Sequence, residues 1–164
     1  MKTRILSLLC LMASIFTLFA SASFAADYDL SKALVIGNGP KKVIEFTDPD
    51  CPFCRKASHY FDSRRDVTRY IFFNPLPSHP QAKRKVQYIM SHSDIHRAYM
   101  DVMDGLLDNA GQMRLPVTEK GVRLQETQQE IARKSGYNAT PTFVISGRVI
   151  EGFDLLRIKE LLGK

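Results

Sequence analysis

The chain has 164 residues, 45% of them hydrophobic and 24% charged, with a formal net charge of +6 at pH 7. That length suits one domain with a sizeable core rather than two. The positive charge is moderate and contains no dense basic run interleaved with aromatics, which argues against a nucleic-acid-binding module.

The N-terminus has the three parts of a secretory signal. Lys2 and Arg4 form the charged start, Ile5 to Phe19 the apolar run, and Ser23-Phe24-Ala25 a small-x-small cleavage site. The apolar run is interrupted by Ser7, Ser14 and Thr17 and lacks a basic stop-transfer flank, so residues 1–25 are expected to be cleaved and residues 26–164 to form the domain. Removing 25 of the 164 residues leaves 139 and lowers the formal charge from +6 to +4. Cys10, preceded by Leu9 inside the apolar run, goes with the signal; export places the protein in the periplasm. Cys51 and Cys54 remain. A lone close pair in an exported protein cannot staple distant segments, so its value is local, as a redox couple or part of a metal site.

In chain order, Ala33-Leu34-Val35-Ile36 reads as an edge strand, broken by Asn38-Gly39-Pro40. Val43-Ile44-Glu45-Phe46-Thr47 reads as a central strand. Pro52, favourable at a first helical position, opens a helix to Arg64 whose inner face carries Ala57, Tyr60 and Phe61. Val67 to Phe73 is a further strand, and three prolines make Asn74 to Pro80 stiff and extended. Helices are expected over Gln81–Ser91, Asp94–Leu107 and Thr118–Lys134, the last closed by Gly136. Thr142-Phe143-Val144-Ile145 and Val149-Ile150 flank Ser146-Gly147-Arg148 as a β-hairpin, and Asp154 caps a final helix ending near Leu162. The order describes one α/β domain with a mixed central sheet flanked by helices and a helical insertion.

The chemistry concentrates at Cys51-Pro52-Phe53-Cys54, where a strand hands over to a helix. A cysteine at a helix start meets unpaired backbone N–H groups and the positive end of the macrodipole, and both favour thiolate. Such thiols titrate at about 3.5–7.5 instead of about 8.5. Cys51 is therefore expected to be the exposed nucleophile and Cys54, one turn further in, the resolving thiol. Among the neighbours, Arg55 and Lys56 favour the thiolate while Asp48 and Asp50 oppose it. Glu45 stands out in an otherwise apolar strand, on the same side as Val43 and Thr47. It reads either as a water-exposed carboxylate at a strand edge or as a buried acid of raised pKa beneath the pair that exchanges a proton with Cys54. Pro141, directly before a strand, is on its own expected to follow a trans bond.

These pieces together resemble the thioredoxin-fold proteins. Val43 to Asp48, the cysteine pair, Arg69-Tyr70-Ile71-Phe72-Phe73-Asn74-Pro75 and Thr140-Pro141 before the hairpin look like the catalytic domain of the periplasmic disulfide isomerases, the DsbC and DsbG branch. The resemblance covers nearly all of the chain after residue 25. It implies that Cys51 attacks, Cys54 resolves and Glu45 is the buried acid. It also implies that Pro141 is cis beside the pair, its backbone pairing with an extended substrate segment, with Pro52, Phe53 and Thr140 at the same contact surface. The implied activity is thiol–disulfide exchange with cysteine-containing exported proteins, with a membrane redox partner resetting the pair and no cofactor needed. Only about 17 residues separate the expected cleavage site from Val43, too few for the branch's N-terminal dimerisation domain. A monomer acting as reductase, oxidase or isomerase is the expectation. The branch's additional structural disulfide has no counterpart here.

The competing reading from another class is a copper- or zinc-binding protein built on the same two cysteines, which for zinc needs two further ligands. His92 and His96 share i, i+4 spacing on a polar stretch and read as an exposed helix face; His59 and His79 read as surface positions. Met90, Met100, Met103 and Met113 are soft donors that read as core filler. A non-catalytic peptide-binding module fits Phe53 and the proline loop but leaves the cysteine pair unexplained.

Overall fold

A computed structural model describes residues 28–109 and 115–163. The expected signal segment, with Cys10, and Met113 lie outside the described residues.

After a short 3-10 turn at Leu30–Lys32, five strands form: β1 (Leu34–Ile36), β2 (Lys41–Thr47), β3 (Val67–Phe73), β4 (Thr142–Ile145) and β5 (Arg148–Glu151). They make one mixed sheet in the order β1-β3-β2-β4-β5. The central strand β2 runs parallel to β3 and antiparallel to β4, and the edge strands pair antiparallel with β3 and β4. A parallel pair needs a crossover, and the helix α1 (Pro52–Asp62) supplies it between β2 and β3. β2 begins two residues before the apolar pattern does, because Lys41 and Lys42 pair with Val67 and Thr68 and Lys41 Nζ holds Asp66 at 2.8 Å. Sheet pairing, not hydrophobicity, sets that end.

Side-chain alternation divides the core. Val43 clusters with Ala57 and Phe61 of α1 and with Phe143 and Ile145 of β4. Ile71 and Phe73 of β3 cluster with the two cysteines and with Val86, Ile89, Tyr99 and Val102. These last residues belong to α2 (Ala82–Ser91) and α3 (Ile95–Met103) of the helical insertion. On the opposite face Phe46 and Phe72 stack at 5.5 Å and pack against Ala132 of α4 (Glu119–Ser135). Each fully buried phenylalanine contributes about 1.5–3 kcal/mol by removal from water. Met90 and Met103 are core filler in the insertion, with Met100 packed against them.

Helix ends follow their caps. Thr118 accepts the Gly121 N–H at 3.1 Å to start α4, and Gly136 ends it in the left-handed conformation, φ 76°. Asp154 likewise accepts the Arg157 N–H and opens α5 (Leu155–Leu162). Two helices are shorter than their apolar patterns. α1 stops at Asp62 rather than Arg64 because Arg64 turns back to Asp66 and Tyr60. α3 stops at Met103 rather than Leu107, where Asp104 N returns to Met100 O and Gly105 takes φ 77°. Among the described residues no helix is long and apolar enough to cross a membrane.

Candidate active site

β2 ends at Thr47, and the turn Asp48-Pro49-Asp50 carries the chain from the middle of the sheet to Cys51, the N-cap of α1. The Cys51 N–H donates to Asp48 O at 3.1 Å, and the Cys51 carbonyl accepts the first helical bond from Arg55 N at 3.2 Å. Pro52 sits at the start of the helix, where its missing N–H leaves nothing unsatisfied. The Cys51 thiol therefore projects at the helix N-terminus, and Cys54 sits one turn in, fully buried.

Cys51 Sγ lies 3.3 Å from the carbonyl oxygen of Thr140, and the Thr140–Pro141 peptide bond is cis. The trans expectation for Pro141 taken alone is thus corrected: Pro141 is buried and its loop stands against the cysteine pair. The same loop corrects the expectation of an exposed nucleophile, because with Thr140 over the sulfur Cys51 retains only 5% exposure. The exposed members of the motif are Pro52 and Phe53, the latter at 56% with Lys56 Nζ over its ring at 5.3 Å.

The two sulfurs are electrostatically unlike. A hydrogen bond from the Cys54 thiol does most to hold Cys51 down, at about 5 against an ordinary 9.0; the Cys54 and Phe53 N–H groups and the Thr140 hydroxyl assist, against the opposing effect of burial. Burial pushes the Cys54 thiol far up, and donation to the Cys51 sulfur adds to it; the Thr47 hydroxyl and Asp48 N–H act the other way. The Asp48 amide is 3.4 Å from Cys54 Sγ. The arrangement favours ionisation of Cys51 and opposes that of Cys54.

Glu45 is fully buried, which removes the water-exposed reading. Its partner is Arg69 of β3, itself 2% exposed: Arg69 Nε and Nη2 lie 3.0 and 2.9 Å from Glu45 Oε2. Arg69 Nη2 also donates to the Tyr99 hydroxyl at 2.6 Å. Glu45 Oε1 has no hydrogen-bond partner among the described residues. The pairing sets a guanidinium directly against the buried carboxyl group.

Asp48, which the sequence presents only as a charge opposing the thiolate, is the hub of the approach loop. Fully buried, it accepts hydrogen bonds from Asp50 N at 2.8 Å and Leu76 N at 2.7 Å, with His79 Nδ1 at 2.9 Å. His79 is thus drawn from its expected surface position into the site, whereas His59, His92 and His96 are exposed. Arg55 does not face Cys51: it pairs bidentately with Asp108 at 2.7 and 2.8 Å and holds that carboxyl down at about 2, with Lys85 assisting. The buried Lys85 Nζ contacts both Asp108 and Asp50 at 2.5 Å. Lys85, Asp108 and His79 carry no sequence signal for this role, because their partners lie 23 or more positions away. Among the described residues, no group of three or more His, Cys, Asp and Glu side chains stands close enough together to hold a metal ion.

Residues 28–154 match the family model of the thioredoxin-like domain. A protein described as a probable thiol:disulfide interchange protein DsbC from Bordetella pertussis is 31% identical over 75 residues, 46% of this chain and 26% of that protein. The chain thus matches about a quarter of the length of the curated relatives it resembles. The disulfide interchange protein from Neisseria gonorrhoeae is 33% identical, with a TM-score of 0.67, over 81% of this chain and 94% of that one. A periplasmic thioredoxin-like protein from Salmonella enterica serovar Typhimurium shares the fold at 21% identity, with a TM-score of 0.57, over 87% of this chain and 95% of that one. With the model spanning most of its length and the sheet order, cysteine pair and cis-proline loop in place, the chain belongs to the thioredoxin-like domain family.

Proposed function

We propose that the protein is an exported, periplasmic thiol–disulfide oxidoreductase that exchanges disulfides with cysteine-containing exported proteins through Cys51 and Cys54. The observation that carries this reading is the geometry of the pair, Cys51 at the N-cap of α1 with its sulfur 3.3 Å from the Thr140 carbonyl oxygen beside a cis-proline, and Cys54 fully buried one turn in. The Cys51 thiolate attacks a client disulfide, one client sulfur leaves as thiolate, and a mixed disulfide forms. Cys54 then loses its proton and attacks Cys51 Sγ. The second client sulfur leaves, so the client disulfide is reduced while Cys51 and Cys54 are oxidised. Run backwards, the same steps oxidise a client.

Glu45 is the proposed acceptor for the Cys54 proton, supported by its burial and its unpartnered Oε1. Pro141 and Thr140 offer backbone to an extended client, and Pro52 and the exposed Phe53 contact it beside the reacting sulfur. A membrane-bound redox partner resets the pair, and the protein works as a monomer.

The test is Cys54→Ala in cells. It is expected to accumulate disulfide-linked adducts that vanish on reduction and in the Cys51→Ser, Cys54→Ala double variant. Absence of any adduct while Cys51 alkylates normally would overturn the reading. So would one stoichiometric metal ion in protein purified under reducing conditions that is lost in Cys51→Ser.

A further inference from the structure

A groove of about 530 Å³ lies between the proline loop that follows β3 and the outer face of α4, and it reaches Tyr137 and Asn138. Asn138 is two residues before Thr140, whose carbonyl stands over Cys51 Sγ at 3.3 Å. The lining of the groove thus ends two residues along the chain from the residue that covers the Cys51 sulfur. A client strand laid along the cis-proline loop enters it two to four residues from its own cysteine.

The lining suits an extended polypeptide. Pro75, Leu76, Pro77 and Tyr137 give a stiff apolar wall, and Asn74, Gln129 and Asn138 carry amides of the kind that pair with a peptide backbone. Of the charged residues lining the groove, Glu130 and Arg133 pair with each other and Glu126 does not. Arg133 is held by Glu130 through two hydrogen bonds of 2.8 and 2.7 Å, and Lys134 approaches the same carboxylate at 3.5 Å. Glu126 is exposed and makes no hydrogen bond or ion pair among the described residues. Among the residues that line it, the groove therefore presents one unpaired carboxylate, Glu126.

The groove is also wired to the redox pair. The Leu76 N–H in its wall donates to Asp48 Oδ2 at 2.7 Å, and the N–H of the same aspartate donates to Cys54 Sγ at 3.4 Å. One buried residue thus fixes both the wall and the resolving sulfur.

We propose that this groove is the docking cleft for the client chain and selects extended segments carrying lysine or arginine two to four residues from the reactive cysteine, with Glu126 as the charge that reads them. The proposal rests on the exchange reading above and deepens it by naming the class of client segment.

The test compares peptides whose single cysteine carries a glutathione cap and is flanked at those positions by lysine or by glutamate. Each rate constant with the reduced protein is divided by that variant's own rate with glutathione disulfide. The wild-type protein is expected to favour the lysine peptide about threefold to tenfold, the effect of one or two partly screened charge pairs. Glu126→Gln is expected to erase the preference and Glu126→Lys to invert it. In parallel, serine-for-cysteine versions of both peptides are bound to wild-type protein and followed by fluorescence anisotropy. That readout needs no redox chemistry and is expected to show the same preference. Equal rates and equal binding for the two peptides, or a preference that survives Glu126→Lys, would overturn the groove. Failure of wild-type protein to react with glutathione disulfide, alongside charge-selective binding of the serine peptides, would overturn the exchange reading and leave the groove standing.

Discussion

Arg69 and Glu45 form an ion pair inside the sheet's core face, 2.9 Å apart and together almost without solvent contact, on neighbouring strands two and four residues from their N-terminal ends. The Arg69 guanidinium lies against the rings of Phe61 on the cysteine helix and of Tyr99, at 5.2 and 5.6 Å. Breaking such a pair from one side strands a charge in low dielectric. Arg69→Met is therefore expected to cost about 3–5 kcal/mol, and the double change Glu45→Leu, Arg69→Met markedly less than Arg69→Met alone. Urea unfolding of the three proteins checks this; equal losses in the single and double variants would mean that the pair's charge is not what matters.

The depressed Cys51 thiol gives a pH prediction with a definite sign. Alkylation of Cys51 should follow a titration centred at about 5, from an ordinary value of 9.0. Because the folded value is the lower one, the stability this thiolate lends the reduced protein is fully present above the unfolded value of about 9 and is lost as pH falls through about 5. The oxidised protein lacks the group. The stability gap between the two forms should shift in favour of the reduced form as pH rises across that window, as paired urea melts will show. Equilibration with glutathione is expected to put the couple on the oxidising side of about −270 mV, the thioredoxin value, and a lower potential would contradict a stabilised dithiol.

Cys54→Ala separates the causes of that shift. The thiol hydrogen bond from Cys54 is the largest of them, and it disappears in the variant while the backbone N–H groups remain. The Cys51 titration should rise by at least about one unit, followed by thiolate absorbance near the ultraviolet edge. An unchanged midpoint would assign the thiolate to the helix N-terminus alone.

Asp48 is expected to be the most sensitive loop position. Asp48→Ala leaves the N–H groups of Asp50 and Leu76 and the His79 ring without their acceptor. A loss of roughly 2–4 kcal/mol is expected, and Asp48→Asn, which keeps a carbonyl acceptor, should lose less. Thermal melts of the two variants test the order.

Much of the fold was legible because its signals are local. Pro52 at a helix start, Thr118 and Asp154 as N-caps, Gly136 as a C-cap and the alternation of Val67 to Phe73 act within a few residues of themselves. The helix ends at Asp62 and Met103 were not legible. Arg64 continues a helical pattern until it finds Asp66 and Tyr60, and the Asp104-Gly105 turn interrupts an apolar pattern that runs on to Leu107.

For the candidate site, the sequence by itself determined the groups proposed to react: two cysteines one helical turn apart at a strand-to-helix junction, and a Thr-Pro ahead of a hairpin. Those depend on spacing, which the chain fixes. Only the tertiary structure decided that Glu45 is met by Arg69 rather than by water, that Cys51 is covered by Thr140, and that Asp48 gathers Leu76 and His79 beside Cys54. Each of those joins residues 24 to 89 positions apart. Burial and charge neutralisation exist only once the sheet has brought distant strands and loops together, so no local pattern can state them.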